Sequence, residues 1–324
     1  AIPCKGDTHL KEPSNFPSGP GFPRPKRKFR IKTVITLYLL LSPTIVLLFL
    51  FNYLPMYGIL ISFQDYSIYR GFWESDWVGL KHFRYFLGDD KFWQVMRNTL
   101  ILNFYDIVFG FTSPILFALL ANEILHPKWK RMFQTVSYLP HFLSWIVVAG
   151  LVQQMLSPVD GLVNMALGWF GVEPVHFMTD KNWFRPIAVI AEIWKNVGWS
   201  AILYFAVIAG VDTSLYEAAM MDGAGRFRQA LHVTLPAMVP MIVLMFLLRL
   251  ASIFGIGFER VFLLQNPLVY EVSEVISTYI YRLGLERAQY SLTTAIGLVQ
   301  SVMAFVLLVV SNRLSKKWTG MGMY

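Results

Sequence analysis

Four ionisable residues fall inside, or at the edge of, long apolar runs of this 324-residue chain: Asp106, Glu192, Lys195 and Arg249. A charge within a bilayer is costly unless it is paired or faces water, so each marks an ion pair or a polar contact with a passing solute. Glu192 and Lys195 stand three apart, a spacing at which they can pair on one helix face. The plain reading is a self-neutralised structural pair. The functional one is a polar lining, because Trp194, Asn196 and Trp199 flank it and aromatic faces beside amide and charged groups suit sugar binding. Asn103 precedes Asp106 by one turn and is read the same way. Gln153, with Gln154, lies near the outer end of its run, and Gln300 lies inside another. Arg249 is either an anchor between helices or, for an anionic solute, a bidentate match for a carboxylate. No catalytic constellation is present. The six histidines are scattered, there is one cysteine (Cys4), and no Gly-x-x-x-x-Gly-Lys-Ser/Thr phosphate loop occurs. The chain therefore carries neither a Cys-based metal site nor that route to ATP hydrolysis, and it is not expected to be an enzyme.

The elements that must position these groups are membrane helices. The chain is 55% hydrophobic and only 15% charged, against about 25% charged in soluble domains. The expected fold is all-α and polytopic, with six spans near 33–63, 97–122, 132–157, 186–209, 235–255 and 289–312. Segments 64–96, 158–185 and 256–288 then share one side of the membrane. The tail, 123–131, 210–234 and 313–324 share the other. The second set carries net +10, and the first, with Arg97, carries −2. The positive-inside rule then puts both termini in the cytoplasm. The net charge of +8 thus sets topology and contacts anionic lipid, and it does not point to nucleic acid.

The first run is too long for the apolar region of a cleaved signal and reads as a retained anchor. Residues 1–32 form a Pro-rich tail ending in a basic cluster from Arg24 to Lys32, residues 33–318 the transmembrane domain, and 319–324 a short C-terminal tail. Ten aromatic residues between Tyr66 and Trp93 form a membrane-boundary belt, or a docking or sugar-stacking face.

Segment 210–234 is polar yet wedged between two membrane-length runs. Ser214 and Glu217 have capping-box spacing. Ala218, Ala219, Met220 and Met221 are helix formers. Gly223, after Asp222, can take positive φ and close the helix. Arg226 to Val233 can add a turn or two, and Pro236, after Leu235, can sit in the first turn of the next span. The expected result is a short helix, a glycine turn and a re-entry helix. The two alanines let another surface approach, and Glu217 and Asp222 leave negative charge beside it.

The run Glu217-Ala218-Ala219-Met220-Met221-Asp222-Gly223-Ala224, with Arg226 and then Leu235-Pro236, resembles the cytoplasmic coupling loop of permease subunits in binding-protein-dependent ABC importers of carbohydrates. Val233 stands where Ile is usual, and Ala230 where a bulky Phe is common. Trp77-Val-Gly-Leu-Lys-His-Phe83, Tyr138-Leu-Pro-His141, Asp160-Gly-Leu-Val-Asn164 and Glu192-Ile-Trp-Lys-Asn-Val-Gly198 are similar to the polysaccharide-type subgroup. The resemblance implies a type I importer fold in a bacterial inner membrane and alternating access. It implies that ATP and magnesium reside on two partner ATPase subunits, with none bound by this chain. It further implies a homologous second permease, an extracytoplasmic solute-binding protein, and an oligosaccharide cargo, with acidic chains such as alginate in the set. The competing reading is an ion-coupled secondary transporter using Asp106 and Glu192 as coupling carboxylates; it leaves segment 210–234 unexplained and would usually show inverted repeats, of which none is visible.

Overall fold

A computed structural model describes residues 31–319 except 252, 254 and 256. The basic cluster from Arg24 to Arg30, Cys4 and the last five residues lie outside the described residues. The chain divides into two compact units, Ala1–Tyr57 and Gly58–Tyr324. In the first, helix α1 (Ile31–Leu48) continues into a π-helical stretch, Phe49–Tyr53.

Among its described residues the second unit is built of helices and one antiparallel pair, β1 (Gln64–Asp65) with β2 (Asp76–Trp77), which pinches off the loop carrying α2 (Gly71–Glu74). Then follow α3 (Lys81–Leu87), α4 (Asp90–Tyr105), a π-helical turn Asp106–Phe111, and α5 (Thr112–Asn122). Next come α6 (Pro127–Tyr138), α7 (Trp145–Met155), α8 (Leu162–Gly168) and α9 (Lys181–Ala209). They are followed by α10 (Thr213–Met221), α11 (Arg226–Gln229) and α12 (Leu235–Ala251). The chain closes with α13 (Phe258–Leu264), α14 (Tyr270–Ser273), α15 (Ile276–Tyr281) and α16 (Tyr290–Thr319). Among the described residues, four helices are long and apolar enough to cross a membrane, and six spans result when each of two bent pairs counts as one.

Three expectations change. The third span is not one rod: α6 and α7 meet at 101°, because Leu143 is extended and Ser144 starts a new helix by accepting from the Val147 N–H. The fourth begins at Lys181, since Asp180 caps it there. Segment 256–288 is not a simple external loop. It holds three helices, and α13 packs against α7 and α9.

Helix α9 is the central element. Ala201, Tyr204 and Ile208 pack with Ile115 and Ala118 of α5 and Met238 of α12. Ala188 and Val189 pack with Leu102 of α4, Ala149 of α7, and Val261 and Leu264 of α13. Lipid chains are as apolar as these side chains, so close packing of small residues holds such helices together. Gly198 shows how close: a Cβ there would overlap the Ser137 carbonyl of α6. Gly198→Ala must push α6 and α9 apart. It should lower the stability of the purified complex by about 1–3 kcal/mol, the usual cost of overpacking; an unchanged melting temperature would refute the close crossing.

Candidate functional site

On α9, Glu192, Asn196, Trp199 and Leu203 recur at helical spacing and face one cavity of about 550 Å3. Phe111, Pro114, Tyr204 and Ser200 contribute to its wall, and Met245, Leu248 and Arg249 of α12 close it. The lining is mainly apolar and aromatic with a few polar groups, the usual make-up of a small-molecule site. Asn196 donates to Glu192 Oε1 at 3.0 Å and meets His141 Nδ1 at 2.8 Å. The His141 ring stacks on Trp199, centroids 4.5 Å apart and nearly parallel. The indole face is therefore held in place from behind.

Behind the cavity lies a charge network that joins four elements. Arg260 of α13, with a side chain 0% exposed, donates to both oxygens of Asp106 at 2.7 and 3.0 Å. It also lies 3.5 Å from Glu192 Oε2. Arg249 approaches Asp106 at 3.4 Å. Two cations and two carboxylates balance, which is how ionised groups persist in a low-dielectric setting. Asp106 sits where α4 changes to π-helical winding, a feature that often accompanies functional positions. The carboxylates that an ion-coupled carrier would use are thus both engaged by Arg260.

The expected Glu192–Lys195 pair does not form. Lys195 points to the α6–α7 break and donates to the carbonyls of His141 and Leu143, each at 2.6 Å. A helix end leaves carbonyls without intrahelical donors, and this ammonium satisfies two of them. Lys195 is therefore a brace for the bend and does not line the cavity.

The other expected residues separate. Trp194 lines a different, almost wholly apolar cavity of about 340 Å3 between α7 and α9. Asn103 is buried and donates to Thr99 O on its own helix. Gln153 donates to Leu263 O of α13 at 3.2 Å. Gln300 lies on α16 and does not line the 550 Å3 cavity. Asp106 is behind the wall and reaches the cavity through Arg249, and through Arg260 by way of Glu192. Reading the sequence missed Arg260 and His141. The available signal for Arg260 was Asp106 itself, a carboxylate in an apolar run with no cation at helical spacing.

At the other chemically marked segment, α10 is capped by Asp212, whose Oδ1 accepts the Ser214 N–H at 2.9 Å. That bond holds the Asp212 carboxyl below its ordinary pKa. The expected Ser214–Glu217 box is thereby replaced, because the helix starts at Thr213, before Ser214 could serve as cap. The far end is as expected. Gly223 has φ +75°, with Gly223 N–H on Met220 O and Ala224 N–H on Ala219 O, the paired bonds of a glycine-terminated helix. Glu217, Ala218, Met220, Met221 and Asp222 are exposed, while Ala219 is half-buried. From Arg226 the helix runs unbroken to Leu250. Leu235-Pro236 therefore does not begin a new helix. A π-helical turn, Ala230–Thr234, places the Leu235 N–H on Ala230 O, and Pro236 follows with no N–H to place.

Two side-chain bonds tie α10 and the turn that follows it to that long helix. Tyr216 Oη and Thr234 Oγ1 are 2.9 Å apart, and Gln229 Nε2 donates to Ala224 O at 2.8 Å. The same helix carries Arg249 at its other end. One continuous helix therefore joins the segment bonded to α10 with the cavity wall.

A family model described as "Binding-protein-dependent transport system inner membrane component" matches residues 110–320. Among curated proteins, the chain is 42% identical over 288 residues to Protein LplB of Bacillus subtilis, covering 89% of this chain and 91% of that one. It is also 42% identical over 306 residues to the polygalacturonan/rhamnogalacturonan transport system permease protein YteP of Bacillus subtilis, covering 94% and 95%. Among solved structures it is similar, at 41% identity and TM-score 0.84, to a chain of a bacterial alginate ABC transporter in complex with an alginate pentasaccharide-bound periplasmic protein. That match covers 90% of this chain and 98% of the other.

Proposed function

The chain belongs to the family of binding-protein-dependent transport system inner membrane components, and from that premise we propose that it forms half of a pore admitting acidic oligosaccharides to the cytoplasm. It is a permease subunit of an ABC importer, of the type I fold, and ATP hydrolysis belongs to separate subunits. In such importers the permease works with a second permease, ATPase subunits and a solute-binding protein.

The carrying observation is the α9 face. Trp199, Asn196 and Glu192, with Arg249 opposite, put a ring-stacking surface, an amide and charges of both signs in one cavity of oligosaccharide scale. The acidic cargo is supported by the polygalacturonan and alginate systems to which the chain is similar. The second permease would be a homologous, different chain, completing the cavity. Two ATPase subunits, carrying ATP and magnesium, would dock on α10 and Glu217 to Ala224. The membrane would be the bacterial cytoplasmic one, with both termini inside, consistent with the positive charge of the segments on that side. Loaded binding protein and ATP would together shift inward-facing and outward-facing populations.

The test is ATPase activity of the complete importer in proteoliposomes, with binding protein and a panel of uronate and neutral oligosaccharides. Stimulation confined to uronate chains is expected. Stimulation by neutral chains alone would overturn the acidic cargo. Within the same assay, Tyr216→Phe removes one brace between α10 and the long helix. A hydrogen bond of about 1 kcal/mol net predicts uptake per ATP hydrolysed falling roughly three- to fivefold; an unchanged ratio would show that the brace does not transmit force.

A further inference from the structure

We infer that Arg249 reads the charge of the cargo, exchanging its hold on Asp106 for a carboxylate of the sugar. The inference rests on the acidic-cargo reading above and goes beyond it by assigning the residue that enforces it. Among the described lining residues of the cavity, the charged ones are Glu192 and Arg249. Arg249 is thus the cation that a solute there meets.

Its geometry permits the exchange. Asp106 already receives two hydrogen bonds from Arg260, at 2.7 and 3.0 Å, while Arg249 stands off at 3.4 Å. The Arg249 side chain is 25% exposed and the Arg260 side chain 0%. If Arg249 turns to the cavity, Asp106 keeps its bidentate partner and no bare carboxylate is left in the membrane. Arg260 cannot make the same exchange, since moving it would strand Asp106 and Glu192 together. A guanidinium also fits a carboxylate through two parallel bonds, as a lysine cannot. Glu192, held by Asn196 and near Arg260, repels a second carboxylate and keeps the acidic group at the α12 side.

The test uses the complete importer in proteoliposomes and two probes, an oligouronate trisaccharide and its methyl ester, which has the same rings without the charge. The binding protein's own affinity for each is measured separately, and both are supplied at saturation. Wild type should take up the acid form about tenfold better, the scale of one charge-assisted hydrogen-bonded contact. In Arg249→Gln that preference should fall to about twofold or less, with ester uptake retained. Arg249→Lys keeps the charge beside Asp106 and loses the planar fork, so its preference should fall to an intermediate value, about threefold. Wild-type preference in Arg249→Gln, or in Arg249→Lys if the former does not assemble, overturns the inference and leaves the cargo assignment standing. No preference in wild type overturns the cargo assignment, and this inference with it.

Discussion

Arg260→Met will destabilise the assembled permease more than any other single change considered for this chain. The guanidinium is fully buried and holds both oxygens of Asp106 while lying 3.5 Å from Glu192. Removing it leaves two carboxylates in an apolar setting, with Arg249 reaching one of them at 3.4 Å. Breaking a buried pair from one side costs about 3–5 kcal/mol. For a unit of this size that corresponds to a drop of roughly 10 °C in melting temperature. The control is the double variant Asp106→Asn/Arg260→Met. It removes charge from both sides and should recover at least half of the loss, because most of the penalty is the stranded carboxylate rather than the missing contact. Thermal unfolding of the purified complex measures both. A single variant as stable as wild type, or a double variant no better than the single, would show that the network does not hold the fold.

Gly223→Pro will leave insertion intact and reduce ATP-driven uptake to background. Gly223 has φ +75°, whereas proline is locked near −65°. The substitution also deletes the N–H that bonds Met220 O. The glycine turn that ends α10 cannot form, so the helix no longer presents Glu217, Ala218 and Asp222 in register with the long helix behind it. Gly223 lies in a segment outside the packed clusters around α9, so those clusters should survive. Gly223→Ala should be milder, since a left-handed alanine costs about 1–2 kcal/mol and keeps its N–H. The measurement is uptake and co-purifying ATPase activity for the three proteins. Full uptake by the proline variant would remove the basis for assigning this segment to coupling.

How much of this could be read beforehand differs by element. The α9 face was legible only in part: Glu192, Asn196 and Trp199 were marked as a polar and aromatic stretch, but so were Trp194 and Lys195, which the fold turns to another cavity and to the α6–α7 break. The end of α10 was legible because a run of helix formers followed by Gly223 is a local signal. Its start was less so. Asp212, Thr213 and Ser214 are all capping types, and only the backbone path chose Asp212. Lys195 was misjudged because spacing on a helix permits a pair without requiring one. The stronger claim on its ammonium came from two carbonyls exposed at a bend more than 50 residues away in the chain.

The sequence alone determined that this is a polytopic helical membrane protein with a structured loop between its fourth and fifth apolar runs. It did so because apolar length, helix period and turn residues are local quantities. It also held the family resemblance, carried by the residues of that loop. Only the tertiary structure decided how the buried charges are shared. Arg260 lies in a segment that hydropathy assigns outside the membrane, and its partner Asp106 is 154 positions away. A carboxylate in an apolar run announces that it needs a cation, but several were available, and the choice was made by which helix packs against which. The 101° break between α6 and α7, the insertion of α13 and the close crossing at Gly198 follow from that same long-range packing.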